Sequence, residues 1–397
     1  MSDHKHEFEG PVMVPPKPLT PRKGRAAVSN LQGRFEVNGR ESFDDGWQHG
    51  PDQDQDQERQ GGEGTSAAFK THVTDELAKT ILSRNASPDL PFHVSLNPYR
   101  GCEHGCIYCF ARPTHSHLGL SPGRDFETRL FAKVNAPELL RRELAHPGYV
   151  PQPIALGVVT DAYQPCERQL GLTRRVLEVL NECAHPVGLI TKSSLIERDI
   201  DILGAMAARR QAIASVTLTT LDPAIARTLE PRAGAPARRL CTIRRLTDAG
   251  IPVSVSVAPI IPFVTEPELE KVLEAAHDAG AVSAHYTVLR LPLEVSPLFQ
   301  QWLQAHFPQR VQRVMNRVRD MRGGKDDDSD FARRMHGAGV WADLIGQRFS
   351  RTVERLGMTG NAQRFEQLDC THFRRPLVVP AAVGKQSGNA SGQGDLF

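Results

Sequence analysis

Between Phe92 and Leu289, short apolar runs alternate with amphipathic stretches at nearly constant spacing, and no other feature narrows the fold so far. Residues 92–96, 154–159, 187–190, 216–220, 253–257 and 285–289 read as strands, rich in β-branched side chains. Helices are predicted over 168–183, where Leu172, Val176, Leu177 and Leu180 share a face, and through Ile200, Leu203 and Met206. Two more span 239–249 and 268–279. Strands and helices alternating in this way mean βαβ units and a parallel sheet. Six units are too few to close an eight-fold barrel. The expected fold class is therefore α/β, an open, partial (β/α)6 TIM-like barrel over 86–300.

Composition adds exclusions. Lys+Arg at 48 against Asp+Glu at 46 leaves a formal charge of +2, which names no partner. No apolar run approaches the roughly 18 residues of a membrane span. The first thirty residues carry no apolar signal core, so a cytoplasmic location is expected. Seven cysteines, three of them clustered, do not form a disulfide framework.

That cluster follows the first strand as Gly101-Cys102-Glu103-His104-Gly105-Cys106-Ile107-Tyr108-Cys109-Phe110. Thiolates are the ligands that iron–sulfur clusters and zinc favour, and Gly101 and Gly105 let the backbone turn around a bound centre. Zinc normally needs a fourth protein ligand, and no second Cys-x-x-Cys pair follows; His104, His115 or His117 could supply one. Three thiolates on a four-iron cluster would leave one iron open. On the residues alone both readings stand, beside plain packing of the cysteines.

In βα barrels, working residues gather at the carboxyl ends of the strands. The cysteine loop follows the first strand, Thr160 and Asp161 the second, and Lys192 the third. Thr219 and Thr220 end the fourth, Pro259-Ile260-Ile261-Pro262 follow the fifth, and Arg290 the sixth. Singly each is an ordinary cap or turn residue. Together on one rim they mark a site.

The cysteine loop with six βα units resembles the radical S-adenosylmethionine (SAM) superfamily over about 97–292. Thr160-Asp161-Ala162-Tyr163-Gln164-Pro165-Cys166-Glu167, Ile190-Thr191-Lys192-Ser193 and Glu230-Pro231-Arg232-Ala233 are similar to the spore-photoproduct-lyase-like group, often called DNA repair photolyases. Residues 97–106 are similar to an uncharacterised subgroup of it. The resemblance implies a [4Fe–4S] cluster on Cys102, Cys106 and Cys109, with SAM chelating the fourth iron and Tyr108 in the cofactor site. It implies Lys192 at the SAM carboxylate, and Thr219 (or Thr220) at the methionine group or ribose. Thr160 and Asp161 would face the SAM amine, and 257–261, with Pro259 and Ile261, the adenine. It further implies SAM cleavage to a 5′-deoxyadenosyl radical for hydrogen abstraction, a reductant such as flavodoxin or ferredoxin, and DNA repair as the setting. Modification of tRNA or protein by the same chemistry, and a non-catalytic zinc-binding nucleic-acid adaptor, are the alternatives.

Two positions depart from the lyases. Their hydrogen-returning cysteine aligns with Val158 here, and the tyrosine after their last cluster cysteine with Phe110. Cys166 and Tyr163 are then the nearest candidates for a catalytic role.

The flanks read differently. Residues 1–85 are expected to be a largely disordered leader, with a basic patch at 22–25 and a short docking segment at Phe43-Asp44-Asp45-Gly46-Trp47. A helical extension is expected over 301–376, its part from 331 to 356 closing the open side of the barrel. Arg310, Arg313, Arg317, Arg319, Arg322 and Lys325 offer a phosphate track or a solvated face. The tail, 377–397, is flexible by composition and ends in Gln393-Gly394-Asp395-Leu396-Phe397, which resembles the peptide by which bacterial repair proteins grip the sliding clamp.

Overall fold

The computed structural model describes residues 21, 23–36, 70–360 and 365–377. The segment 43–47 and the terminal pentapeptide lie outside them. Two short strands, β1 (His72–Glu76) and β2 (Leu82–Arg84), precede the first predicted one, β3 (Val94–Leu96). β4 (Tyr99–Arg100) and β5 (Arg129–Lys133) bracket the cysteine loop. β6 (Ile154–Leu156), β7 (Val187–Thr191), β8 (Ala212–Thr217), β9 (Val253–Ile260), β10 (Ser283–Val288) and β11 (Thr359–Gly360) follow.

β3, β6, β7, β8, β9 and β10 lie side by side and parallel, the six expected barrel strands in chain order. The row ends in β2, antiparallel to β3, and β11, parallel to β10, so it is open rather than closed. Side chains alternate about it. Val253, Val255 and Val257 face the helices and join the main core with Ala214, Val216, Leu189 and Leu156. Between the strands run Leu172–Glu182, Ile200–Ala207, Pro236–Asp248 and Leu269–Asp278, each burying an apolar stripe against that core. The helix expected over 168–183 is divided, because Gly171 takes a left-handed φ of 61° between Glu167–Leu170 and Leu172–Glu182.

Among residues 1–85, the described stretches 23–36 and 70–85 are tied to the folded body. β1 pairs with β5 and β2 with β3. Arg25, expected to lie in a solvated basic patch, is buried and donates to Glu127 O (2.8 Å) and Thr71 Oγ1 (3.0 Å). The amides of Ala26 and Ala27 donate to the Glu127 carboxylate. An unpaired buried carboxylate is costly, and the folded body fixes the leader by supplying one.

The C-terminal extension is helical over Val295–His306, Val311–Asp320 and Val340–Arg355. The last packs outside β10, with Arg348 bridging Glu266 and Glu270. Residues 331–338 are turns rather than helix, since they serve as a strap. Val288 N donates to Met335 O, and Arg334 forms a bidentate pair with Asp89, ahead of β3. The strap joins the two ends of the open row. Arg322 is no part of a phosphate track: it is buried and donates to Val288 O, Leu289 O, Arg333 O and Arg334 O.

Glu127→Ala is expected to lower the unfolding free energy by about 3–5 kcal/mol, because it leaves buried Arg112 and two leader amides unmatched. Urea denaturation measures this, and limited proteolysis of the variant is expected to cleave 23–36 first.

Candidate active site

The cysteine loop is clamped at its base. Tyr99 and Arg100 pair with Ala132 and Phe131, and Cys102 N donates to Phe126 O at 3.0 Å. Inside it, fully buried Arg112 donates to Cys106 O, Gly105 O, Pro122 O and Gly123 O and pairs with Glu127. One guanidinium thus fixes the turn that presents Cys106 and Cys109. Gly101, at φ 74°, needs its missing Cβ: one there would lie 2.7 Å from Leu130 Cδ2 and 2.8 Å from His115 Cε1.

The electrostatics around the thiols suit a cationic cluster. Burial, with Asp161 and Cys106 nearby, pushes the Cys102 thiol well up, and burial pushes Cys106 up to about 12 against the pull of Lys192. Iron would relieve both by taking thiolates. A zinc knuckle lacks its fourth ligand. As they stand, no three His, Cys, Asp or Glu groups among the described residues, the three thiols included, are gathered around one ion. His104 Nδ1 faces Asp161, His115 Nε2 lies 2.9 Å from Arg129 O, and His117 stacks on Phe35.

Beside the loop sits a carboxylate that sequence reasoning did not select, Glu230. It is 2 % exposed and accepts from Tyr108 OH and Arg239, with Thr219 Oγ1 at 2.8 Å. Burial raises its pKa, but Arg239, Lys192 and Tyr108 outweigh that and hold it down at about 2. Arg239, equally buried, also donates to Gly234 O and Thr217 O. Ile107 N and Arg232 N bond Leu229 O and His104 O, so the segment holding Glu230 lies along the cysteine loop. The available signal was the stretch Glu230-Pro231-Arg232-Ala233 itself.

Lys192, at the end of β7, is half-buried, and its Nζ lies 5.8 Å from the Tyr108 ring centroid. Among the described residues that ammonium has no hydrogen bond or ion pair. Burial pulls its pKa down, yet Cys106 and Glu230 raise it further, so it stays charged. Asp161 is spent on structure. Its Oδ1 accepts from Tyr163 N and Thr191 Oγ1, its Oδ2 accepts from Lys192 N, and His104 Nδ1 is 3.2 Å from Oδ2. Thr160 is buried, its hydroxyl 3.4 Å from Tyr99 O. Thr220 donates to Glu268. Ile261 packs with Cys106, Ile107 and Tyr108, while Pro259 O accepts from Thr265. Tyr163 is fully buried in the main core, and Cys166 packs by Tyr99 and Leu172, its thiol pushed up by burial to about 12. Phe110 is exposed.

The inward faces of the strands form a chamber of small polar groups. Ser215, Ser254 and Ser283 are register partners, as are Thr217, Ser256 and His285 one layer nearer the rim. Ser215 Oγ, Ser254 Oγ and His285 Nδ1 are buried without hydrogen-bond partners. Inward Ile190, Lys192, Ala258, His285 and Thr287 keep partial exposure, while outward Leu189, Thr191, Val257 and Val288 are buried. The chamber floor is apolar, made by Phe92, Ala155, Ile213, Phe365 and Leu368. Burial, helped by His336, pushes His285 down to about 4, so the lining below Lys192 is neutral.

The radical SAM superfamily model matches residues 96–276. An uncharacterised protein of Mycobacterium tuberculosis is 35% identical over 241 residues, which is 60% of this chain and 71% of that protein. One from Methanocaldococcus jannaschii is 23% identical over 223 residues, 56% of this chain and 80% of its own length. A solved structure of spore photoproduct lyase complexed with dinucleoside spore photoproduct is similar at 14% identity and TM-score 0.48, covering 72% of this chain and 81% of that one. The chain belongs to the radical SAM superfamily and is an enzyme of that class.

Glu230 and Asp161 both titrate in the fold at about 2, below their ordinary 4.5 and 3.8. Their contribution is full above those ordinary values and is lost as pH falls toward 2. Denaturation of the apoprotein between pH 5 and 2 is expected to show this loss. Glu230→Gln is expected to flatten it and to lower stability at neutral pH by about 3 kcal/mol.

Proposed function

We propose that Cys102, Cys106 and Cys109 hold a [4Fe–4S] cluster and that Lys192 receives the carboxylate of SAM. The Lys192 ammonium, which makes no hydrogen bond or ion pair among the described residues although the Glu230 charge acts on it, carries this reading. Its N–H donors are unfilled, and a carboxylate ligand would accept from them in a charge-assisted pair. When bound and reduced through flavodoxin or ferredoxin, cluster and SAM together supply a hydrogen-abstracting radical. The protein's share is position and exclusion of water. Arg112 and Glu127 hold the loop from one side, while Glu230, through Tyr108, holds it from the other. Thr219 orients Glu230 rather than reaching outward. The neutral chamber beneath Lys192 receives the part of the substrate that gives up hydrogen. That part is a polar, uncharged group, since the described residues on the inward strand faces below the rim, Ser215, Ser254, Ser283, Thr217, Ser256 and neutral His285, carry no charge.

A nucleic acid is the substrate class, with DNA repair as the setting that the motifs at 160–167, 190–193 and 230–233 resemble. With Val158 and Phe110 at the lyases' hydrogen-return positions, thymine-dimer reversal by their route is not proposed.

Anaerobic reconstitution with iron and sulfide, followed by dithionite and SAM, tests this. 5′-Deoxyadenosine is expected from the native chain and none from Cys106→Ala. Lys192→Met is expected to keep the iron content and raise the KM for SAM about tenfold, the loss of one charge-assisted pair. An unchanged KM would remove Lys192 from the SAM site.

A further inference from the structure

Helix Val311–Asp320 buries Val314, Met315 and Val318 and turns its opposite face to solvent. There Arg313 lies with its guanidinium 3.9 Å from the Phe263 ring centroid, and Arg317 lies 4.5 Å from that of Trp341. The two rings are 5.6 Å apart, so they form one floor under two cations. Phe263 belongs to the loop after β9, on the same rim as the candidate site. That loop is fixed: Arg310 donates to Phe263 O, and Thr265 Oγ1 accepts from Ile261 N. An open groove runs over this floor, lined also by Asn316, Arg319 and Asp320.

A guanidinium stacked face-on is oriented without using its donors, because all its N–H groups lie in the plane. Arg313 has no hydrogen bond or carboxylate partner among the described residues. Arg317 has only Asp320, at 3.2 Å on a 61% exposed side chain, and Arg319 has Asp326. Four arginines, Arg310 included, thus face two carboxylates. The guanidinia lie over Phe263 and Trp341 and crowd the apolar surface that could anchor a peptide side chain. Beside Asn316 and Asp320 the groove offers fixed, forked cations, which suit a chain of repeating phosphate charges.

We infer that Arg313 and Arg317 bind the phosphodiester backbone of a nucleic acid and steer it toward the rim above the chamber. This rests on the reading of the site as one that acts on nucleic acid, and it names the surface that holds that substrate. It recovers part of the track expected from sequence and leaves out Arg322, which is buried structure.

The test is fluorescence anisotropy of a labelled single-stranded oligonucleotide on the full chain with its cluster reconstituted. Arg313→Ala/Arg317→Ala is expected to weaken binding roughly tenfold or more and to lower the salt slope between about 50 and 200 mM by about 2. Arg351→Ala, which removes an exposed cation from helix Val340–Arg355, is expected to change neither. If the double variant unfolds, the charge reversal Arg313→Glu, at an exposed position, carries the same test. Unchanged binding in the arginine variants would overturn the inference, as would an equal loss in Arg351→Ala. Native protein that binds polyglutamate but not the oligonucleotide would also overturn it and make the partner an acidic protein. The assay needs neither SAM nor reductant, so its failure leaves the radical chemistry standing. A failure to form 5′-deoxyadenosine leaves this surface standing.

Discussion

A carboxylate shut away from water has to be matched by donors and cations, and at Glu230 that match holds the site together. Its partners come from four places: Tyr108 on the cysteine loop, Thr219 just past β8, Arg239 on helix Pro236–Asp248, and the charge of Lys192 past β7. Buried pairs of this kind add little net stability over an apolar core, but removing one partner leaves an uncompensated charge. The arrangement therefore enforces geometry. Arg112 and Glu127 repeat the device on the other side of the loop, where the carboxylate also takes in the leader amides of Ala26 and Ala27. The cysteine loop is held between two buried arginine–carboxylate pairs, and its presentation of three thiols depends on both.

The six barrel strands were legible because each is a short apolar run buried on its outward face, and their ends correctly marked one rim. The elements that were missed depend on partners far away in the chain. β1 is His72–Glu76, polar and mostly exposed, and only its pairing with β5 makes it a strand. Arg25, Arg112, Arg239 and Arg322 look like solvent-facing cations, yet all four are buried and bonded to backbone carbonyls. Charge in a sequence does not show on which side of the surface it will lie. Asp161, at a strand end, is also bonded within the fold: its oxygens accept from Thr191, Tyr163 and the Lys192 amide.

The alternation in β9, Val-Ser-Val-Ser-Val, reads as a half-exposed strand, and here both faces are enclosed. The valines meet helices, and the serines line the inward face, where the Ser254 hydroxyl is buried without a partner. In a closed barrel, bulky inward residues would fill that space. The small hydroxyl residues and neutral His285 instead leave room beneath Lys192, with an apolar floor set by Phe365 against Gly188. Charge at the rim and neutrality below suit the arrangement proposed, a charged cofactor above an uncharged reacting group.

The most direct measurement is electron paramagnetic resonance of the dithionite-reduced, reconstituted protein, recorded before and after SAM is added. A cluster held by three thiolates, with its fourth iron open beside Lys192, is expected to give a reduced-cluster signal that changes shape when SAM binds. A cluster signal indifferent to SAM, or a protein that retains no cluster while all three cysteines are intact, would contradict the site proposed for this chain.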